Sequence, residues 1–229
     1  MKVLYLIPAR GGSKGLPKKN IKVLKDKPLI HHSIDFARNF TDDINICVST
    51  DSEEIIRCAE ENNLKINFKR PDELASDSAS TNDVINHAIN YYESEGMFFD
   101  LLVLLQPTTP FRKKSDLQNM LNDWKDDLDL LVSVKESHDS PYFNLFEENE
   151  TGFLSKSKDL DITRRQDAPK IYAFNGSIYL FNVKSLKSKE IKDFRKIKKY
   201  LMKDPIYSID IDTPFDWVLS ETVISNELI

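Results

Sequence analysis

Short apolar runs of strand length alternate with segments of helical period as far as Val134 in this chain of 229 residues. Leu101–Leu105 is continuously apolar, as expected of a strand that a parallel sheet buries on both faces. Within Ser80–Tyr92 the apolar residues instead recur every three or four positions, which predicts one buried face of a helix. The alternation as a whole gives predicted strands at Lys2–Ile7, Ile44–Ser49, Asp100–Leu105 and Leu128–Val134, and predicted helices at Pro28–Phe40, after Ser52, at Ser80–Tyr92 and at Ser115–Trp124. This order predicts an α/β fold with a doubly wound, mostly parallel sheet.

The pattern changes between Ser137 and Phe181, where short extended pieces and turn residues replace the alternation. We therefore predict a single nucleotide-binding α/β domain made of residues 1–136 and 182–229, with residues 137–181 inserted as a β-rich arm. The chain then continues into a predicted strand, Tyr207–Ile211, and a predicted helix, Thr213–Ser225. The arm carries more apolar residues than an isolated hairpin buries, so we predict that a twofold dimer covers them. The alternative is an arm that folds back on its own domain.

Charge and cysteine content disfavour several classes of protein. The formal net charge of −5 argues against a dedicated nucleic-acid-binding protein. The longest apolar runs fall short of the roughly 20 residues of a membrane helix, and the first residues lack a signal-peptide cleavage pattern. Cys47 and Cys58 stand in apolar segments, which indicates reduced core thiols and predicts a cytoplasmic protein.

Charged residues are unevenly distributed along the chain. Seven basic residues and one acid lie within Arg10–Lys27, and on an acidic chain this cluster favours an anionic small ligand over a merely solvated face. A second basic stretch, Lys184–Lys203, has no glycine loop and is predicted to be mostly solvated surface. The acidic run Asp123–Asp129 is also predicted to lie on the surface, because its spacing fits no metal-binding loop.

A glycine-rich loop, Pro8–Gly15, directly follows the first predicted strand. Its glycines let the backbone approach a ligand closely, and their N–H groups suit an anion. The spacing is neither that of a P-loop nor that of a dinucleotide-binding fingerprint, so a generic ATPase and a Rossmann oxidoreductase are both disfavoured. Loops at this position bind ligands in open α/β sheets, and Arg10, Lys14 and Lys19 add positive charge, so we predict a triphosphate site. A plain glycine-rich turn is the alternative.

Two carboxylates, Asp210 and Asp212, stand two residues apart near the end of the chain. In a strand they would face the same side, where a divalent cation would offset their repulsion. Mg²⁺ needs only one or two carboxylates together with substrate phosphates, so the pair predicts a metal site. The alternative is that Asp212 merely favours the start of a helix, because Thr213 and Asp216 have the spacing of a capping box.

The loop Ile7–Asn20 resembles the signature loop of the acylneuraminate cytidylyltransferases, the CMP-sialic acid synthetases. Further blocks resemble that family in the same order along nearly the whole chain: Ser49–Ser52, Arg70–Asp77, Leu105–Arg112, Arg164–Lys170, Asn175–Tyr179 and Asp210–Asp212. Blocks in a shared order are far more specific than any single motif. The chain is therefore identified as a member of this family.

The resemblance implies a nucleotidyltransferase that uses Mg²⁺ to join CTP to a nine-carbon 2-keto sugar acid, giving a CMP-sugar and pyrophosphate. It implies catalytic roles for Arg10, Lys19 and Asp212, and places Asp210 and Asp212 at the metal. It implies nucleotide contacts from Ala9, Arg10, Gly12, Ser13, Lys14, Lys19, Asn20, Arg70, Ala79, Thr81 and Gln106. Sugar contacts are expected from Gln106, Arg165 and Asn175.

Two departures from the family pattern fall on the sugar side. Many relatives have a lysine just after the proline of the segment that here reads Pro141-Tyr142-Phe143, and many have an arginine where this chain has Ala173-Phe174. A less polar pocket fits a 5,7-diacetamido, 9-deoxy sugar such as legionaminic acid at least as well as N-acetylneuraminic acid. The alternative is that these aromatic residues are ordinary core of the arm.

Other functions stay open at this point. A CMP-Kdo or CMP-pseudaminic acid synthetase has related chemistry, and a catalytically silent nucleotide-binding module would have the same fold. The resemblance also implies a homodimer whose arm reaches the neighbouring site, with Phe194 or a residue near it facing the partner's sugar pocket.

Overall fold

A six-stranded sheet forms the centre of the computed structural model, which describes residues 1–13, 15–76, 78–161 and 164–228, apart from the side chain of Arg165. Within these residues the strands are β1 Val3–Pro8, β2 Val23–Leu24, β3 Lys27–Pro28, β4 Ile46–Ser49, β5 Leu101–Leu105, β6 Leu130–Glu136, β7 Phe146–Glu148, β8 Leu154–Lys156, β9 Tyr172–Asn182 and β10 Ile197–Leu201. The α-helices are α1 Leu29–Ala37, α2 Glu53–Glu61, α3 Thr81–Ser94, α4 Lys114–Asp123, α5 Val183–Ser188 and α6 Pro214–Ser225.

The central sheet has the order β10-β6-β9-β5-β1-β4. The pairs β1–β4, β1–β5 and β6–β10 are parallel, whereas β9 runs antiparallel to both of its neighbours, β5 and β6. The prediction of a mostly parallel α/β sheet is therefore confirmed.

The sheet is buried on both faces because alternate residues of its strands point to opposite sides. In β1, Tyr5 and Ile7 join one apolar cluster with residues of α1, α2 and α4, while Leu4 and Leu6 join another with residues of α3 and α5. Helices thus cover both faces, which is the doubly wound arrangement. The continuous apolar run of β5 is fully buried for the same reason.

Helix ends follow local sequence signals. Ser80 and Asp83 form a capping box at the start of α3, and Thr213 and Asp216 form one at the start of α6. Beyond α3, Gly96 adopts a φ of 76°, a left-handed conformation that favours glycine. These helices begin and end close to their predicted bounds.

The predicted extent of the arm differs from the structure. The segment Tyr172–Asn182, predicted to belong to it, is β9, which lies between β5 and β6 in the central sheet. The β-rich insertion therefore ends before Tyr172, and its regular part is the hairpin of β7 and β8. The signal was ambiguous because β9 is rich in aromatic and other apolar residues, as both a lobe strand and a central strand would be.

The prediction of a last strand at Tyr207–Ile211 is wrong. Residues Pro205–Ser208 form a turn of 3-10 helix, and the segment that follows is irregular. The edge of the sheet is formed instead by β10, within the stretch predicted to be solvated surface. An edge strand tolerates lysines because one side of it meets water.

The acidic run Asp123–Asp129 is also only partly on the surface, since Asp129 is 5% exposed. Its carboxylate accepts hydrogen bonds from the side chains of Ser185 and Lys189 and from the backbone N–H groups of Arg195 and Lys196. These contacts hold the start of β10 against β6.

Two further predictions concern buried residues, and a separate finding concerns membrane helices. Cys47 and Cys58 are buried free thiols, as predicted. Phe194 is only 3% exposed and packs against Phe181 in the chain's own core, so the prediction that a partner is faced is wrong for Phe194 itself and stays a prediction for the residues near it. Among the described residues, no helix is long and apolar enough to cross a membrane.

Candidate active site

The loops that follow β1, β4 and β5 meet at one end of the sheet. These three strands are parallel, so their carboxyl ends, at Pro8, Ser49 and Leu105, lie at the same end of the sheet. Because β4 and β5 flank β1 on opposite sides, this position is a topological switch point, the usual location of a ligand crevice in such sheets.

The glycine-rich loop is fixed to the loop after β4. The Ala9 N–H donates to the carbonyl oxygen of Ser49 at 2.9 Å, and the Gly11 N–H donates to the Asp51 carboxylate at 2.9 Å. A Cβ on Gly11 would lie 2.9 Å from Cβ of Ser52, so this close approach requires glycine. The loop is thus held at two points before it turns toward the crevice.

Lys19 joins the same loop to the distant end of the chain. Its ammonium donates to the carbonyl oxygen of Ile211 at 2.6 Å and to the carboxylate of Asp212 at 2.7 Å. Lys19 is 7% exposed, whereas the Asp212 side chain is mostly exposed. The buried ammonium therefore leaves the other side of the Asp212 carboxylate open to the crevice.

Gly15 makes a second contact between these two segments. A Cβ at this position would overlap the backbone carbonyl oxygen of Asp212, so only glycine allows the approach. Nearby, Leu16 packs with Ile211 and Trp217 in one apolar cluster. Apolar burial and backbone contact together hold the loop against the Ile211–Asp212 segment.

Arg70 lies at the base of a cavity of about 310 Å³. The guanidinium donates to Oγ and the carbonyl oxygen of Ser49 and to the carbonyl oxygen of Leu74. Burial lowers the pKa of Arg70, and the charge of Asp51 offsets part of that effect. Ala79 and Thr81 line the same cavity, so three of the predicted nucleotide contacts are together in space.

A second cavity, of about 460 Å³, lies beside the glycine-rich loop. Both cavities are lined by Pro8, Arg10 and Gln106, so the two cavities are parts of one crevice. The predicted residues that line this second cavity are Arg10, Ser13, Lys19, Asn20, Gln106 and Asp212.

Other predicted nucleotide contacts are placed differently. Ala9 is buried beneath the loop, and no described atom lies within 4 Å of a Cβ built on Gly12, which therefore stands in open space. Lys14 lies outside the described residues, as does the side chain of Arg165.

Asp210 is the more buried of the two predicted metal ligands. Burial raises the pKa of its carboxyl group, a hydrogen bond from Thr108 opposes this, and the nearby charge of Asp212 raises the pKa further. Its Oδ1 is buried and has no hydrogen-bond partner among the described residues. Asp210 and Asp212 are not in a strand. Ile211 between them is buried, and its N–H donates to the carbonyl oxygen of Thr108.

This arrangement fits a small divalent cation. It offers an orphaned carboxylate oxygen on Asp210 and an exposed carboxylate on Asp212, and Mg²⁺ takes its other ligands from water and phosphates. The described residues contain no group of three or more His, Cys, Asp and Glu side chains that could hold a metal, so the protein would supply two carboxylates at most.

Gly176 marks the point where Asp210 and Gln106 converge. It lies in a bulge of β9, with a φ of 71°, where the register against β6 shifts. A Cβ there would lie 3.2 Å from Oδ2 of Asp210 and 3.3 Å from Oε1 of Gln106. The missing side chain therefore leaves the space in which these two groups meet.

Asn175, which was predicted to contact the sugar, instead supports this bulge from inside. It is buried, its Oδ1 accepts from the hydroxyl of Ser133, and its Nδ2 donates to the hydroxyl of Ser208 and contacts Sδ of Met202. Its amide is occupied by these neighbours because the bulge turns it into the core.

Asp51 and Arg112 belong to the site but had no predicted role. Both fall within blocks that resemble the family, Ser49–Ser52 and Leu105–Arg112. Asp51 holds the glycine-rich loop. Arg112 bonds to the turn that carries Gln106. The blocks were the only sequence signal for them, because each acts on backbone that tertiary structure brings near.

Residues 4–223 match the sequence profile of the family described as cytidylyltransferase. The CMP-N,N'-diacetyllegionaminic acid synthase of Legionella pneumophila is 34% identical over 98% of this chain and 97% of that protein. The N-acylneuraminate cytidylyltransferase of Streptococcus agalactiae serotype III is also 34% identical, over 95% of this chain and 52% of that protein. The chain thus spans about half the length of that relative.

A solved structure of CMP:2-keto-3-deoxy-manno-octonic acid synthetase complexed with CTP has a similar fold. It matches with a TM-score of 0.70 over 99% of this chain and 100% of that chain. The sequence identity is 18%, so this likeness concerns the fold alone.

The packing of Gly15 against Asp212 leads to a prediction with a matched control. Gly15→Ala should lower the free energy of unfolding by about 1–3 kcal/mol, because backbone on both sides must shift. Gly12→Ala, in the same loop but with open space around it, should change it by less than about 0.5 kcal/mol. Urea denaturation of both variants measures this, and equal stabilities would contradict the close packing.

Proposed function

Because the chain belongs to the cytidylyltransferase family, we propose that it transfers the CMP group of CTP to a nonulosonic acid, a nine-carbon 2-keto sugar acid. The products are a CMP-sugar and pyrophosphate. The observation that carries this proposal is the single crevice in which Arg10 and Gln106 line both a base-sized cavity and a basic phosphate cavity. The two carboxylates stand beside that crevice, where the reacting phosphate would lie.

In this proposal the nucleotide lies along the crevice. Cytosine occupies the cavity above Arg70, with Ala79 and Thr81 on its wall. The triphosphate follows the loop, where Arg10, Ser13 and Lys19 supply donors, Lys14 adds charge from the same loop, and the N–H groups around Gly12 face open space. Asn20 stays near the ribose, since its Nδ2 donates to the carbonyl oxygen of Arg10.

Asp210 and Asp212 are the residues that would hold Mg²⁺, with the nucleotide phosphates as further ligands. When bound, the cation would neutralise charge that develops on the phosphates during transfer. Lys19 keeps one Asp212 oxygen in place from the buried side, so the carboxylate is oriented before the cation arrives.

The reaction is an in-line displacement at the α-phosphorus. The anomeric hydroxyl oxygen of the sugar bonds to that phosphorus and releases its proton to water, and the bond to the oxygen bridging toward the β-phosphate breaks with its electron pair. Negative charge therefore grows on the departing pyrophosphate, where the positive charges of Arg10 and Lys19 stabilise it. The crevice contributes the remaining rate by holding both reactants in position.

The sugar side of the site carries aromatic side chains. Phe174 is exposed and meets Tyr179 edge to face, with ring centroids 6.0 Å apart. Burial raises the pKa of Tyr179, and the charge of Asp210 adds to this effect. Phe174 lies in β9, outside the arm, and both Phe174 and Phe143 are exposed. The alternative that both are core of the arm is therefore not supported.

We therefore propose a legionaminic-type acid, with acetamido groups at carbons 5 and 7 and a deoxygenated carbon 9, as the preferred substrate. The apolar wall of Phe174 and Tyr179 suits methyl and acetyl groups better than the glycerol chain of N-acetylneuraminic acid. N-Acetylneuraminic acid is the second candidate, because relatives named for each activity are equally similar to this chain. The free buried thiols of Cys47 and Cys58 fit the proposed cytoplasmic location.

The substrate proposal is tested with purified protein, CTP, MgCl₂ and a panel of acids. The panel holds N,N'-diacetyllegionaminic, N-acetylneuraminic, pseudaminic and 3-deoxy-manno-octulosonic acids, and pyrophosphate release is the readout. We expect kcat/KM for the legionaminic acid to exceed that for N-acetylneuraminic acid by at least about tenfold. Reactions without sugar are the control, and activity restricted to the eight-carbon acid would refute the proposal.

The two carboxylates should respond differently to substitution. Asp212→Asn should lower kcat by at least about 100-fold, or ~2.7 kcal/mol, without unfolding the chain, because the asparagine Oδ1 still accepts the hydrogen bond from Lys19. Asp210→Asn should also lower kcat but raise the melting temperature, because the charged form of Asp210 is disfavoured by burial.

The sign of the second effect follows from proton linkage. A carboxyl whose pKa is raised by folding destabilises the native state as the pH rises through that pKa, from about 4 upward. The melting temperature of wild type should therefore fall relative to that of Asp210→Asn over this range. Near-wild-type activity of Asp212→Asn, or a lower melting temperature of Asp210→Asn at neutral pH, would contradict the assignment.

We also propose that the arm mediates a homodimer. The described part of the insertion exposes Phe143, Leu145 and Phe146 before the hairpin turn and Phe153 and Leu154, at 72% and 69% exposed, after it. Such a cluster on one short hairpin is more apolar surface than a monomer usually exposes, and a second copy would cover it.

Light scattering after gel filtration should therefore give twice the chain mass of 26.5 kDa for wild type. Phe153→Asp should shift the protein toward the monomer, while Phe98→Asp, which alters an equally exposed phenylalanine outside the arm, should not. A wild-type monomer with full activity would exclude both the dimer and a shared site.

A further inference from the structure

Arg112 holds two walls of the reaction centre together without lining either cavity. It follows the segment that turns away from β5, and its guanidinium makes four hydrogen bonds. Nη2 donates to the carbonyl oxygen of Gln106 at 2.5 Å and to the hydroxyl of Thr109 at 3.1 Å. Nε donates to the carbonyl oxygen of Ser177 at 3.2 Å, and Nη1 to the hydroxyl of Ser33 at 3.0 Å.

Three of these partners, Gln106, Thr109 and Ser177, belong to the two segments that flank the point where Gln106 and Asp210 converge. Gln106 and Thr109 form the turn after β5, whereas Ser177 belongs to the bulge of β9. The Thr109 hydroxyl accepts from Arg112 and donates to the carbonyl oxygen of Gly176 at 2.9 Å, which closes the connection between the segments. A planar guanidinium is suited to this task because its donors point in fixed directions.

The same guanidinium lies within electrostatic reach of Asp210. Burial lowers the pKa of Arg112 to about 9, and the charge of Asp210 offsets part of that effect. The guanidinium of Arg112 therefore remains charged at neutral pH. The ring of Phe36, 5.7 Å from the guanidinium carbon, packs against its face.

We propose that Arg112 is a positioning residue that sets the spacing between Gln106 and Asp210 across Gly176. The gap there is narrow, since a Cβ on Gly176 would lie within 3.4 Å of Gln106, Asp210 and Thr109. Gln106 faces the nucleotide and Asp210 the metal, so their spacing fixes the α-phosphorus relative to the incoming hydroxyl. This inference rests on the proposed cytidylyltransferase reaction.

The primary test compares Arg112→Lys and Arg112→Met with Arg38→Met. Arg38 also donates several side-chain hydrogen bonds, to Asp43 and to the carbonyl oxygen of Asn62, but its partners lie outside the crevice. Both Arg112 variants should lower kcat by about 100-fold, the scale expected for misplaced reacting groups. The stoichiometry of CTP binding, measured by calorimetry, should equal that of wild type. The Kd should change far less than kcat, because Arg70, Ala79 and Thr81 keep their contacts and only the Gln106 wall of that cavity moves.

A merely structural role would give a different pattern. Loss of activity would then follow the loss of CTP-binding stoichiometry, and Arg38→Met would resemble the Arg112 variants. Either that pattern or wild-type kcat in Arg112→Lys overturns the proposal, because lysine keeps the charge but not the directed donors.

Thr109 gives a second pair in case the Arg112 variants do not fold. Thr109→Val removes the hydroxyl that connects Arg112 to Gly176, and Thr109→Ser retains it. Thr109→Val should lower kcat by about tenfold, with Thr109→Ser close to wild type. Equal kcat values for the two variants would overturn the proposal.

Hydrogen exchange separates failure of this inference from failure of the proposed function. In Arg112→Lys, exchange should increase in the segments 105–111 and 173–178 and remain unchanged elsewhere, whatever the substrate. If wild type releases no pyrophosphate with any acid of the panel, the proposed function fails, while localised exchange still supports the positioning role. Unchanged exchange in these segments overturns that role.

Discussion

The contact between Lys19 and the Ile211–Asp212 segment is the interaction on which the site depends. Its two sides are 192 residues apart in the chain, and they meet beside the end of β1. An ammonium group that is taken out of water must be paired, or the free-energy cost of its burial is not recovered. Lys19 therefore requires the carbonyl oxygen and carboxylate that it binds, and this requirement draws the last helix toward the first loop.

Several charges are held in the crevice under conditions that favour an ionic ligand. Lys19, Arg70 and Arg112 are wholly or partly buried, and burial lowers the pKa of both arginines. Burial raises the pKa of Asp210, whose Oδ1 has no hydrogen-bond partner among the described residues. Native structures tolerate such groups mainly at functional sites, where a bound partner supplies the missing interactions. A polyphosphate with its cation has charges of both the required signs.

The backbone contributes as much to the site as the charged groups do. Gly15 allows the glycine-rich loop to touch Asp212, and Gly176 leaves the space between Asp210 and Gln106. The bulge in β9 that contains Gly176 is filled from below by Ser133, whose hydroxyl binds Asn175 and Ile178. Buried polar groups that satisfy one another in this way fix a single backbone path, and the side chains of the site inherit their positions from it.

The order of the main strands and helices as far as β6, the capping boxes at Ser80 and Thr213 and the glycine-rich loop after β1 were predictable from sequence. Each depends on residues close together in the chain: apolar period, a cap three residues from its partner, or a loop directly after a strand. The family was predictable as well, because its blocks keep their order over nearly the whole chain. Arg70, Ala79 and Thr81 line one cavity, while their contact with a nucleotide stays a prediction.

Tertiary structure alone decided how distant segments share the sheet and the crevice. The sequence of β9 suits an arm strand and a central strand equally, and only its pairing with β5 and β6 places it in the core. Asn175 has the character of a ligand-binding residue, yet the bulge turns it toward Ser208 and Met202. The contacts of Arg112 join three segments that are far apart in sequence: its own segment after β5, α1 and β9. Local sequence determines conformation through neighbouring residues, whereas these positions follow from burial and pairing across the whole fold.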